Sequence, residues 1–493
     1  MKVILAGYNI DSVVIDELKR NSPPREDITP ETLSASYARI SRDPRPADEL
    51  RAVARAEVER ARKSNRAIIF KMGHHSVAEH AVFNFDIVGV SRLALEEIEK
   101  FRLCSYTEKS QRYIKLKDDF VLPEEVKRAG LEEIFSETIH AQNALYHKLY
   151  DKLKPYIFDK NKKMADEPKN HSLLDGWAKE DARYIVSLAT QAQLGMTLNA
   201  RNLELLIRRF ASKKLAELKE LNRKMYEKAK EVAPSIILFT DAHEFDSLTY
   251  RDLETRAGNV LGNKKPDICG DVRLVSHTAN GDSRLVAALL HSCSSQTYEA
   301  CYEKARSMSG DDKRSFLKLS MQRMEFFDFV IREFEYVDFQ FDLVLSATCF
   351  AQLKRHRMAT LTAQSYDPSL GVTIPPSVRA IDGHKEFNDM VNRTNDVFLR
   401  MQSKMESGAE YILTNAHRKR VLFKVNLREL YHISRLRQDR TAQWDIRQIV
   451  GQMVDLAKEK MPIACSLLGG KDVYPEIYKK FFGKAPRLVP PKI

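Results

Sequence analysis

Apolar and polar positions change their period several times along this chain, and each change marks an element. Residues 2–6 form a short apolar run that reads as a buried strand, and the Gly7-Tyr8-Asn9 after it lacks the GxGxxG spacing of a dinucleotide-binding turn. Helical spacing runs through 47–63. The period drops to two over 82–90, as expected of a half-buried strand, and returns to helical spacing over 93–101. A long amphipathic helix is predicted over 131–153, a polar interruption over 159–170, and helical structure from 181 to about 233.

The order then repeats. Residues 241–270 are polar and hold Gly258, Gly262-Asn263 and Pro266, so they read as a boundary. Beyond them come an alternating strand over 337–345, a short helix to 357, a loop with Pro368, Pro375 and Pro376, a long helix over 388–411 and a final helix over 427–460. Each half is therefore expected to be α+β, an antiparallel sheet with long helices. The expected domains are 1–240 and 271–493, joined by a 241–270 linker.

Composition narrows the class. A chain of 493 residues with 30% charged side chains has no apolar run near the roughly 18 to 20 residues a membrane span needs. The start, Met1-Lys2-Val3-Ile4-Leu5-Ala6, is too short an apolar stretch for a secretory signal. The six cysteines, Cys104, Cys269, Cys293, Cys301, Cys349 and Cys465, show no CxxC or zinc-like spacing, which fits reduced thiols in the cytoplasm. The net charge of +12 invites nucleic acid or anionic small molecules. Basic residues alternate with acidic ones as on solvated helix faces, and only Arg418-Lys419-Arg420 is compact, so no nucleic-acid partner is expected.

Two features carry chemistry. Gly73-His74-His75-Ser76-Val77-Ala78-Glu79-His80 is rich in imidazole, but its spacing is not the His-x-x-Glu-His that puts zinc ligands on one helix face, so no metal is expected. The second feature occurs twice: Lys100-Phe101-Arg102 and Arg355-His356-Arg357 are each followed by seven residues and a serine, Ser110 and Ser365. Behind each lies an Asn-x-Arg-x-Leu helix opening, at Asn199-Ala200-Arg201-Asn202-Leu203 and Asn426-Leu427-Arg428-Glu429-Leu430. Two ordered matches indicate an internal duplication. Guanidinium groups beside a serine hydroxyl suit a phosphorylated ligand, because they bind phosphate bidentately and stay charged when desolvated.

Arg355-His356-Arg357 with Ser365 resembles the RHR-x7-S signature of the flavin-dependent thymidylate synthases. Further blocks agree in order: His74, Ser76, Glu79 and His80; residues 105–113, SYTEKSQRY; Glu180-Asp181-Ala182-Arg183-Tyr184; and Asn426 to Leu430, Leu436-Arg437 and Ala442-Gln443-Trp444-Asp445-Ile446-Arg447. The resemblance implies two copies of that family's fold forming a pseudo-dimer. It implies reductive methylation of dUMP to dTMP, with FAD as cofactor and NADPH and methylenetetrahydrofolate as co-substrates. Ser41, His74, Ser76 and Glu108 match flavin-contacting positions, as do His356, Asn426, Arg428 and His432, with Asn199 and Arg201 their counterparts in the first half. Ser110, Gln111, Arg112 and Arg183 match positions that hold dUMP, joined by Arg102, Arg355, Arg357 and Ser365. Arg437 matches the catalytic arginine that polarises the pyrimidine. The family's homotetramer implies a homodimer of two-domain chains.

The halves depart from the pattern in complementary ways. The first has Lys100-Phe101 for Arg-His, Phe210 where the activating arginine belongs and Ala216-Glu217-Leu218-Lys219 for the AQWEIR block. The second has Arg332-Glu333-Phe334-Glu335-Tyr336 for the histidine block, Ala363 for the glutamate, Asp367 for an arginine and Glu410 for the helix arginine. One composite pocket per chain is the expected result. A flavoenzyme acting on another pyrimidine nucleotide and a non-catalytic nucleotide- or RNA-binding relative remain open beside it.

Overall fold

The computed structural model of the chain describes residues 1–20, 28–110, 114–262, 270–325 and 328–486. Gln111 and Arg112 fall outside the described residues. The first copy supplies strands β1 (Lys2–Tyr8), β2 (Val82–Ser91), β3 (Ser105–Glu108) and β4 (Gln191–Asn199). Its principal helices are α1 (Arg92–Ile98), α2 (Glu132–Lys160), α3 (Ala200–Ala211), α4 (Ala216–Val232) and α5 (Glu244–Leu261). The second copy supplies β5 (Val272–His277), β6 (Asp338–Ser346), β7 (Thr360–Tyr366) and β8 (Arg418–Asn426), with α6 (Ala347–Leu353), α7 (His384–Lys404), α8 (Leu427–Arg437) and α9 (Trp444–Lys460). The fold is α+β, as expected.

Each copy forms one four-stranded antiparallel sheet, ordered β1-β2-β4-β3 and β5-β6-β8-β7. Alternation fixes the register. Phe83, Phe85 and Ile87 on β2, and Phe339, Phe341 and Leu343 on β6, are buried in their respective cores. A one-residue slip would turn each set toward solvent at about 1.5–3 kcal/mol per side chain. The register then sets Val82 opposite Asn199 and Asp338 opposite Asn426, so α3 and α8 start at equivalent points of the two sheets. The edge strands β1 and β5 carry a register shift at the same place, between Leu5 and Gly7 and between Leu274 and Ser276.

The compact units cut across the sequence order. One comprises Met1–Pro266 with Pro376–Thr414, the other Asp267–Pro375 with Asn415–Ile493. Thus α7 packs in the first unit, where Gln142 Nε2 on α2 donates to Thr394 Oγ1 at 2.9 Å and to the Ile412 carbonyl at 3.0 Å. In the same unit the Leu188 amide donates to the Leu413 carbonyl at 2.7 Å.

Several sequence expectations are corrected. Residues 181–233 are not continuously helical: β4 intervenes, with Ala192, Leu194, Met196 and Leu198 buried on one face. The region 427–460 is two helices, because Gln443 caps α9 by accepting from the Asp445 and Ile446 amides. The 388–411 helix ends at Lys404, and Gly408 takes a positive φ of 88°. The boundary region 241–270 contains the 18-residue helix α5, none of whose residues is buried. No described helix is long and apolar enough to cross a membrane.

Candidate active site

The second unit builds its polar cluster from the end of β8. Asn426 closes that strand and caps α8, its side chain accepting from the Glu429 amide at 2.8 Å. Such a cap satisfies a helix-start donor that has no intrahelical partner. Arg428 Nε donates to the Val330 carbonyl at 2.8 Å, and its Nη1 pairs with Glu335 at 3.1 Å. A turn further on, α8 presents His432, and its last residue is Arg437.

The triplet Arg355-His356-Arg357 follows α6, with both arginines exposed and His356 between them buried. Arg437 Nε donates to His356 Nε2 at 3.0 Å and Arg437 Nη2 donates to the Gln352 carbonyl at 3.2 Å. On its other side His356 Nδ1 lies 3.3 Å from Glu429 Oε1. Its ring meets that of His432 edge-on, with centroids 5.8 Å apart. Burial pushes the His356 pKa below its ordinary value and Arg437 and His432 push the same way, while Glu429 opposes them. The imidazole is therefore neutral at pH 7, with its proton on Nδ1 and Nε2 accepting.

The first unit keeps the scaffold and replaces the polar chain. Asn199 caps α3, accepting from the Asn202 amide at 2.9 Å, and Arg201 pairs with Glu79. At the places of His356 and Arg437 stand Phe101 and Phe210, buried edge to face with centroids 5.8 Å apart. Asn202 stands in place of Glu429, and Leu205 in place of His432. The polar chain has become part of the apolar core.

The other expected site residues lie as follows. Ser110 lies two residues past β3 and lines a cleft with Lys109, Lys115, Lys117 and Asn143. Arg183 is buried in a 3-10 turn. Glu108 is paired with Arg92 at 2.9 Å, a partner the sequence did not suggest. His74, just before the short helix His75–His80, and Ser76, within it, are exposed, Ser41 is exposed before the Ala47–Ala56 helix, and Arg102 and Ser365 are exposed. The Asp367 carboxylate, which stands in place of an arginine, accepts from the Ser369 amide at 2.8 Å and so caps a local turn.

Three elements escaped the sequence reading. Glu335 occupies the place of Glu79, so the glutamate of the histidine block survives in both copies and holds an arginine in each. Glu217 does in the first unit what Asp445 does in the second. Ser91 Oγ donates to Glu217 Oε2, and Ser346 Oγ to Asp445 Oδ2, each at 2.6 Å. The apparently degraded Ala216-Glu217-Leu218-Lys219 thus keeps the acidic group. Glu429 was missed because it lies between the Arg and Leu that define its motif.

The family model for thymidylate synthase complementing protein matches the chain twice, over residues 26–235 and 273–463. The chain is 25% identical to a UPF0159 protein of Thermoplasma acidophilum over 88% of the chain and 94% of the relative. It is 23% identical to a UPF0159 protein of Chlamydia muridarum over 82% and 79%. It is 30% identical to the flavin-dependent thymidylate synthase of Clostridium tetani, over 43% of the chain and 82% of that protein. A solved flavin-dependent thymidylate synthase from Helicobacter pylori, complexed with FAD and dUMP, aligns with 48% of the chain at 17% identity and a TM-score of 0.31.

Proposed function

The chain belongs to the thymidylate synthase complementing protein family, the flavin-dependent thymidylate synthase family, as two tandem copies of its domain, and from that premise we propose that it reductively methylates dUMP to dTMP. The observation that carries the reading is the hydrogen-bonded chain from Glu429 through His356 to Arg437, at the positions of the family's motifs. Bound FAD would relay hydride from NADPH, while methylenetetrahydrofolate supplies the carbon.

Arg437 has one edge of its guanidinium held by His356 and the Gln352 carbonyl, which fixes its plane. A fixed, permanently charged donor stabilises negative charge on a pyrimidine as its N3 proton is lost, and C5 becomes more nucleophilic. In the first unit Arg102, Ser110 and Arg183, with Gln111 and Arg112, stand at the family's positions for the phosphate and sugar of dUMP, and in the second unit Arg355, Arg357 and Ser365 do.

In the second unit the groups that fit a flavin, a ring rich in nitrogen and oxygen, are the half-buried His432 imidazole and the Asn426 side-chain NH2, while His356, both of whose ring nitrogens are engaged by Glu429 and Arg437, backs the His432 ring. Arg428 braces this face, and Ser41, His74, Ser76, Glu108, Asn199 and Arg201 are the first copy's flavin positions. The buried Phe101 and Phe210 pair does not fit an ionised pyrimidine, so each chain holds one complete set of activating groups.

Purified protein supplied with FAD, dUMP, methylenetetrahydrofolate and NADPH is expected to form dTMP in step with NADPH oxidation. Absence of dTMP, or methylation of a different nucleotide only, would overturn the reading.

A further inference from the structure

We propose that Glu429 is a positioning residue that aims Arg437 by fixing the tautomer of His356. The proposal rests on the reading of Arg437 as the group that polarises the pyrimidine. Its own evidence is geometric. Arg437 Nε can donate to His356 Nε2 only if that nitrogen is unprotonated, so the ring proton must sit on Nδ1, and the group 3.3 Å from Nδ1 is the Glu429 carboxylate. A carboxylate on the far nitrogen of an imidazole sets its tautomer and its plane.

The two copies supply an internal control. The Asn caps, the Arg–Glu pairs behind them and the serine–carboxylate pairs are kept in both. The three members of the Glu429 chain are replaced together, by Asn202, Phe101 and Phe210. A chain needed only to hold the fold would be expected in both copies, since both fold alike. Joint loss marks the three as one working unit.

Protonation would break it. The charged and titratable groups facing His356 are Glu429, His432 and Arg437, all from α8. A doubly protonated imidazole would turn a donor toward the Arg437 Nε–H and set two cations side by side. Activity should therefore fall on the acid side as His356 takes up a proton. Glu429 raises the pH at which this happens, because its charge favours the imidazolium.

The test compares Glu429→Leu and Glu429→Gln in the flavin-loaded, full-length protein. The leucine variant should lose roughly 10- to 100-fold in kcat, with the KM for dUMP changed far less. The glutamine variant, whose amide oxygen still accepts from Nδ1, should recover most of that loss, and its acid limb should move to lower pH. A second readout needs no turnover. Nitrogen-15 shifts of His356 should report the Nδ1–H form in the parent protein and a mixture in the leucine variant. If the parent forms dTMP and Glu429→Leu leaves kcat unchanged, or if His356 carries its proton on Nε2, the proposal falls. If the parent forms no dTMP, the reaction reading fails, and the imidazole shifts still decide whether Glu429 sets the tautomer.

Discussion

Arg437 and Phe210 hold equivalent places in two copies of one fold, the one in a hydrogen-bonded polar chain and the other in an apolar core. Arg437 ends its helix with a donor held by His356 and the Gln352 carbonyl, whereas Phe210, in the last turn of its helix, packs against Phe101. Arg437→Ala should lower kcat by about 100-fold or more, the scale of losing one fixed donor to developing charge, while flavin absorbance is retained; full activity in the variant would remove Arg437 from the mechanism. The depressed pKa of His356 also bears on stability. Its folded value lies below the unfolded one, so the unfolded chain binds the extra proton first, and stability should decline as pH falls below the ordinary histidine value of 6.5. At this scale Arg437, His356 and Asn426 were legible because they sit on motif positions. Glu429 and Glu335 were not, because their partners, His356 and Arg428, lie far from them in sequence.

The two serine caps are the most informative elements. Ser346 caps α6 through the Cys349 amide at 3.0 Å and donates to the buried Asp445, so one hydroxyl ties the start of α6 to the start of α9. Ser346→Ala should destabilise the fold by about 1–3 kcal/mol, since it removes a cap and takes a donor from a buried carboxylate. Urea denaturation would show this as a lower midpoint, and an unchanged midpoint would contradict the coupling. The strand over 82–90 and the strand over 337–345 were readable because large apolar and polar residues alternate. The strand β4 was hidden, since Gln191, Ala192, Gln193, Leu194 and Met196 favour helices intrinsically and only the neighbouring strands make them extended. The break before α9 was hidden for a similar reason: apolar spacing continues across it, and the Gln443 cap is visible only in three dimensions.

For the whole molecule, duplication and divergence are the governing facts. Both copies keep the same strand order and helix starts, which made the repeat legible from spaced motifs alone. Residues 376–414 belong with the first compact unit, an arrangement that no local pattern announces, because the pairing of α7 with α2 is decided by contacts distant in sequence. The buried Phe101 and Phe210 pair in the first copy leads to an expectation for the intact chain. Reconstituted protein should bind a single FAD per chain by absorbance and mass, and two equivalent flavins would mean that Phe101 and Phe210 do not close the first copy's site.

The most direct test is growth of a thymidine-requiring bacterium carrying this chain on a plasmid. The unaltered chain should support growth without thymidine and the Arg437→Ala chain, expressed to the same level, should not. Failure of the unaltered chain to rescue growth while it is expressed, folded and loaded with flavin would contradict thymidylate synthesis as its function.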